Sequence, residues 1–185
     1  MTFGLFLLLI LLAILLFPTL RCLIKRLLCA RRLTRFCREK GFLLHPTHRL
    51  WFFGHRRGKY CDCYIETPGE IFAIKFFGVP HRRRTLIFTH RDTYSFRSFL
   101  TLMGLVSFHF DGKPHPLPAY RFRLHDRDEW ASKTPHHILL IHPIPVDIRR
   151  RASNGAEEIL GAGDVVCGME IQSLSRLLGR LEAAI

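Results

Sequence analysis

Cys61–Phe77 reads CDCYIETPGEIFAIKFF, two runs of strand-forming residues on either side of Thr67-Pro68-Gly69-Glu70. Pro followed by Gly suits the centre of a type II turn. With Thr67 facing Glu70, the register pairs Glu66 with Ile71, Tyr64 with Ala73 and Asp62 with Lys75. One face then carries Cys61, Cys63, Ile65, Phe72, Ile74 and Phe76, and the other Asp62, Tyr64, Glu66, Ala73 and Lys75. Side chains alternate across a strand, so this sorting into an apolar and a polar face predicts a hairpin with one face in a core.

Short apolar runs punctuated by Gly and Pro surround it and predict a β-rich domain. Arg49–Gly54 reads as a strand, and Thr85–Thr89 with Tyr94–Phe99 as a second pair about Arg91-Asp92. Leu100–Phe110 fits helix or strand. Asp111–Pro118 (DGKPHPLP) is a proline loop unsuited to a sheet interior. His137–His142 is a buried strand stopped by Pro143 and Pro145, Arg149–Glu158 a polar loop turning at Ser153-Asn154-Gly155, and Asp164–Ile171 a last strand. Ser173 is placed to cap a final helix with Leu174, Leu177, Leu178 and Leu181 on one stripe. No internal repeat is present.

At the other end of the chain, Phe3–Phe17 is the apolar run FGLFLLLILLAILLF, and the first charge is Arg21. Eighteen residues of helix, 3–20, rise about 27 Å, close to a hydrocarbon core of roughly 30 Å. Thirteen of the fifteen residues from Phe3 to Phe17 are Leu, Ile or Phe, each favourable by about 0.3–0.6 kcal/mol at a helix centre. Leucine on every face fits lipid better than a packing stripe does. A cleaved leader would need a basic segment before the run and a small-residue site after it, where Thr19-Leu20-Arg21-Cys22 stands instead. Residues 1–20 are therefore expected to be a retained transmembrane anchor.

The chain has 185 residues and a net charge of +13. Up to Tyr60 there are 12 Lys/Arg and one acid, Glu39, a net of +11; beyond it 16 Lys/Arg and 14 acids leave only +2. Arg21, Lys25, Arg26, Arg31, Arg32, Arg35, Arg38 and Lys40 follow the apolar run directly. By the positive-inside rule the N-terminus faces outward and residues 21–185 lie in the cytoplasm, anchored at the plasma membrane. Leu20, Leu23, Ile24, Leu27, Leu28, Leu33 and Phe36 fall near helical spacing between these cations, and Gly41 supplies a stop. Residues 21–40 thus read as a basic amphipathic juxtamembrane helix facing anionic headgroups, each cation near the surface adding about 1 kcal/mol. The same spacing also allows its apolar side to rest on the domain that follows. The near-balanced charge of residues 61–185 argues against a dedicated nucleic-acid domain.

Six cysteines on the cytoplasmic side would be reduced thiols rather than a disulfide framework. Cys61-Asp62-Cys63 with His45, His48 or His55 has zinc-ligand chemistry but not a knuckle's spacing, so buried thiols are expected and no metal. Cys22 and Cys29 near the membrane read as small apolar helix residues, and Cys167 stands alone. No phosphate-binding loop, nucleophile elbow or HExxH is present, and Gly161-Ala162-Gly163 precedes a strand where a dinucleotide fingerprint should follow one. No cofactor is implied. His81-Arg82-Arg83-Arg84 and Arg149-Arg150-Arg151 are two further basic clusters expected on solvated loops.

A helix followed by three strands, with an acid, Asp62, on the second and a lysine, Lys75, on the third, loosely resembles the restriction-endonuclease-like fold. That resemblance implies a metal-binding acid two residues before the lysine, and here Ala73 stands there. A two-carboxylate magnesium site needs both acids, so Glu66 or Glu70 would have to join Asp62 and Lys75. Those four are the candidate catalytic residues. The plain reading of Asp62 and Lys75 is an exposed cross-strand ion pair, worth at most about 1 kcal/mol.

The expected architecture is α+β: a transmembrane helix (1–20) continuing into a basic amphipathic helix (21–40), then a small, mostly antiparallel β-rich domain (41–185) ending in a helix. The expected function is that of a non-enzymatic interaction module at the membrane surface. Its partners would be the bilayer's anionic headgroups and an unidentified protein. The alternative is a degenerate restriction-endonuclease-like domain that binds nucleic acid.

Overall fold

The hairpin forms as its alternation requires. Strands β2 (Cys63–Glu66) and β3 (Glu70–Phe77) pair Cys63 with Ile74, Tyr64 with Ala73, Ile65 with Phe72 and Glu66 with Ile71. The connection is not type II, because Gly69 is not among the residues with positive φ. Thr67 closes it instead: its N–H donates to the Glu70 carbonyl at 3.0 Å, and its Oγ1 accepts from the Glu70 N–H at 3.1 Å. In this computed structural model the described residues are 2–47, 51, 61–79, 85–89, 93–102, 106–111, 115–116, 130 and 132–184. Side chains are described for these except 2–19, 22, 98–102, 106–111 and 115–116.

The molecule is mixed α+β. Helix α1 (Thr2–Lys40) is continuous through Pro18 and precedes β1 (Leu43–Pro46), which pairs antiparallel with β2. Gly41 ends α1 at φ 73°, with its N–H on the Arg38 carbonyl and the Phe42 N–H on the Cys37 carbonyl, the double reversal of a Schellman cap. Beyond β3, strand β8 (Thr134–Ile141) runs parallel to it, and β12 (Met169–Gln172) runs parallel to β8. With the two-residue β11 (Val165–Val166) the first sheet has the order β1-β2-β3-β8-β12-β11. Cys167 and Gly168, at φ 53° and 74°, make the tight turn between β11 and β12. The last strand expected from the sequence is therefore a small hairpin.

A second sheet joins β4 (Thr85–Thr89), β5 (Thr93–Leu102) and β6 (Val106–Asp111) to β9 (Ile148–Arg151) and β10 (Glu157–Leu160), in the order β10-β9-β4-β5-β6. The ambiguous run after Leu100 is strand. Inside the expected proline loop, β7 (His115–Pro116) pairs with β5. The polar loop expected over Arg149–Glu158 is a hairpin. Its charges compensate one another across the ladder, Arg151 opposite Glu157 and Arg150 opposite Glu158, which lets a polar sequence adopt strand. The strand expected over Arg49–Gly54 lies, apart from Trp51, outside the described residues, as do His48, His55 and His81–Arg84.

Three layers result. Phe72, Ile74 and Phe76 of β3, with Ile138 and Leu140 of β8, pack against Cys29, Ala30, Leu33 and Cys37 of α1. Helix α2 (Leu174–Ala183) adds Leu174, Leu177, Leu178 and Leu181 to the same core, and Ser173 caps it by accepting from the Arg176 N–H at 3.3 Å. The opposite face of the first sheet meets the second through Phe77, Leu139, Ile141, Met169 and Ile171 against Leu86, Phe88 and Ile148. Each fully buried large side chain contributes about 1.5–3 kcal/mol. Cys61 precedes the ladder, so the pleat does not govern it, and it packs with Tyr64, Ala73 and Trp130 rather than on the helix-facing side.

Chain direction follows from these contacts. Helix α1 reverses at Gly41 into β1, so α1 and β2 run one way and β1, β3, β8 and β12 the other. Helix α2 returns along α1's direction, with Arg180 on Glu170 at the start of β12 and Glu182 on Lys40 at 2.8 Å. At the opposite end of the sheet the Arg26 guanidinium of α1 lies against Gly78, just past β3, in the space a Cβ there would fill.

Candidate functional site

Asp62 and Lys75 do meet, but not at the surface. Lys75 Nζ donates to Asp62 Oδ1 at 2.9 Å, and the Phe76 N–H donates to Oδ2 at 2.8 Å. The side chains are 1% and 2% exposed, which corrects the expectation of a solvent-exposed pair. Lys75 shares a face with its register partner Leu139, which sits between the sheets, and that second layer is what buries it. Sequence alternation gives the face as polar; what covers it is a second sheet, and the packing of one sheet on another is not encoded in the alternation of either. The Asp62 carbonyl also holds Thr47, accepting from its N–H at 3.1 Å and its Oγ1 at 2.8 Å.

Neither candidate glutamate joins this pair. Glu66 lies four residues along β2 from Asp62, about 13 Å at strand rise, where its carboxylate accepts from Lys133 Nζ at 2.7 Å, His45 Nε2 at 2.9 Å and Trp130 Nε1 at 3.2 Å. The lysine's hydrogen bond is the main reason its carboxyl is held down at about 2, against the opposing effect of burial. Trp130 also packs on Tyr64 and His45, with ring centroids 4.9 and 5.5 Å away. Glu70 is on the helix-facing side, 3.1 Å from His136 Nε2. Ala73, where a nuclease would need its second acid, is buried among Tyr64, Ile71 and Trp130. Among the described residues no three His, Cys, Asp or Glu side chains converge as metal ligands. The arrangement is a satisfied buried ion pair with a second polar knot farther along the sheet.

The thiols are burial sites. Desolvation pushes Cys29, Cys37 and Cys61 up to about 12 and Cys63 well above its ordinary value, while Cys167 is exposed. The arginines of β9 are not on a loop. Arg149 and Arg151 point with Arg97 at one carboxylate, Glu157, through contacts of 3.4 Å (Arg149), 2.6 Å (Arg151) and 2.7 Å (Arg97). Arg97 chiefly, then Arg151, holds that carboxyl at about 2. Glu66 and Glu157 both have depressed pKa values, so their stabilisation is complete above about pH 4.5 and is lost as pH falls toward 2. Thermal unfolding of the full chain should show a midpoint that falls further as pH drops below about 4.5, where these two carboxylates take up protons; Glu66→Gln should flatten that fall.

The cations of α1 form a different kind of surface. Leu20, Ile24 and Leu28 are exposed at 55%, 49% and 57%, and Arg31, Arg35 and Arg38 continue the same helical stripe, also exposed. Arg21 and Arg32 are exposed beside it, Lys25 and Arg26 are half-buried, and Lys40 is tied to Glu182. The expected single apolar stripe is thus divided. Leu33 turns inward with Cys29, Ala30 and Cys37, and Leu20, Ile24 and Leu28 turn outward. Arg35 is paired with Glu39 at 2.7 Å. Among the described residues no helix is long and apolar enough to cross a membrane; Phe3–Phe17 belongs to the part of α1 whose side chains are not described.

The chain matches no protein-family model, no curated protein and no solved structure.

Proposed function

We propose that the protein is a single-pass membrane-anchored interaction module, with residues 3–20 of α1 in the bilayer, the N-terminus outside and the domain held under the cytoplasmic leaflet of the plasma membrane. The observation that carries this reading is the continuity of α1. One rod contains both the apolar run and a segment whose Leu33 and Cys37 are part of the domain core. The domain is therefore coupled to the anchor without a flexible linker. Leu20 and Ile24 prolong the apolar surface into the interfacial zone, and Arg21 and Lys25, within about 8 Å of the hydrocarbon edge at helix rise, supply the positive collar attracted to anionic headgroups. Alkaline carbonate extraction of membranes carrying the full chain tests it: the protein should remain in the pellet, whereas a chain starting at residue 21 should be released by carbonate or high salt. Release of the full chain would refute the anchor.

The nuclease-like alternative has one observation in its favour, the order of one helix, three antiparallel strands and a parallel fourth with Asp62 and Lys75 in contact. Against it, both Asp62 oxygens are occupied and the second acid is an alanine. Cleavage of DNA or RNA by the full chain with magnesium or manganese, abolished by Asp62→Asn in a folded variant, would support this alternative over the binding module.

A further inference from the structure

The connection after β8 reads His142-Pro143-Ile144-Pro145-Val146, and within it Ile144 and Val146 are 50% and 63% exposed although both prolines are buried. Ile159, 68% exposed, adjoins them around one hollow of the surface. Exposed large aliphatics gathered at one spot call for a partner.

Their place in the fold indicates which one. The His142 N–H donates to the Phe77 carbonyl at 3.0 Å, so this connection emerges beside Gly78, where Arg26 of α1 lies. It therefore occupies the end of the sheet facing back along α1 toward the apolar run. Arg26 is six residues past Leu20, about 9 Å along the helix axis, and the headgroup layer extends roughly 5–7 Å beyond the hydrocarbon on each side. A loop projecting from the level of Arg26 toward the N-terminus of α1 reaches that layer.

Resting on the anchoring reading above, we propose that the Pro143–Val146 loop is a second membrane contact, with Ile144 and Val146 inserted into the same leaflet that α1 crosses. The buried prolines stiffen the loop and present the two side chains outward, and Leu20 and Ile24 offer a parallel apolar contact from α1. Two contacts on one rigid body fix the tilt of the domain as well as its distance from the bilayer. The surface that remains free for a protein partner is then the opposite end, at the β2–β3 turn.

The test places the photoreactive residue p-benzoylphenylalanine, one site at a time, at positions 144, 146, 68 and 10 of the full chain, reconstituted in vesicles of phosphatidylcholine and phosphatidylglycerol. Pro68 is exposed in the β2–β3 turn at the far end of the sheet and serves as the water-facing control. Irradiation should give phospholipid adducts at 144 and 146 and none above background at 68. Adducts at 144 and 146 no more abundant than at 68, or crosslinks there to a second copy of the chain, overturn the proposal. Position 10 reads the anchor separately. Its failure to label lipid sinks the anchoring reading itself, whereas lipid adducts at 10 without adducts at 144 and 146 sink only the second contact.

Discussion

Asp62→Ala should lower the stability of the protein by about 3–5 kcal/mol, the usual cost of stranding one member of a buried ion pair, or roughly 6–20 °C in Tm for a chain of this size. Lys75 is 2% exposed and its ammonium donates to Asp62, so the substitution takes the opposing charge away from a cation buried between two sheets. The Phe76 N–H loses its acceptor at the same time. A surface pair would cost less than about 1 kcal/mol, so the size of the effect reports burial directly. The double variant Asp62→Leu with Lys75→Met should recover most of the loss, because apolar isosteres remove both charges together. Thermal unfolding in mild detergent measures all three; an Asp62→Ala midpoint within 2 °C of wild type, by the same conversion, would mean the pair is solvated.

Leu33→Ala should cost about 2–5 kcal/mol. Leu33 is fully buried between Cys29, Cys37 and the helix-facing side of the first sheet, where little can collapse into the space left behind. Leu28→Ala, on the exposed stripe of the same helix, should change stability by no more than about 0.5 kcal/mol in detergent. The contrast separates a helix that is part of the core from one that only tethers it. It also implies that a fragment starting at residue 41 lacks part of its core and will not fold as the full chain does, visible as lost near-ultraviolet circular dichroism.

Legibility in the sequence followed how local the determining interactions are. The β2–β3 register was readable because alternation sorts Cys63, Ile65, Phe72, Ile74 and Phe76 from Tyr64 and Ala73 within seventeen contiguous residues. Helix α2 was readable from Ser173 and four leucines at helical spacing. The burial of Asp62 and Lys75 was not, since the layer covering them is a separate sheet of β4, β5 and β9, and alternation within a hairpin does not say what packs on its polar face. The β9–β10 hairpin was hidden because three arginines in a row look like loop until Glu157 and Glu158 are brought opposite them. Glu66 was named as a substitute nuclease acid, and its partners His45, Trp130 and Lys133 come from segments 21, 64 and 67 residues away, separations over which no local periodicity acts. A strand at Leu43–Pro46, four residues long and containing a proline, offers no alternation strong enough to announce itself.

The division of α1 has a physical consequence for any partner. A helix that spends Cys29, Ala30, Leu33 and Cys37 on the core has only its other side, Leu20 through Arg38, to present to a partner. Charge reversal of Arg21, at the edge of the apolar run, should then weaken attraction to anionic vesicles and leave the fold intact, since its side chain is exposed.

Topology is the most direct test of one rod shared by bilayer and core. Protease added to intact cells expressing the full chain with tags at both ends should remove the N-terminal tag only, leaving residues 21–185 uncut until the membrane is breached. Digestion of the C-terminal domain in sealed cells, or survival of both tags, would contradict it.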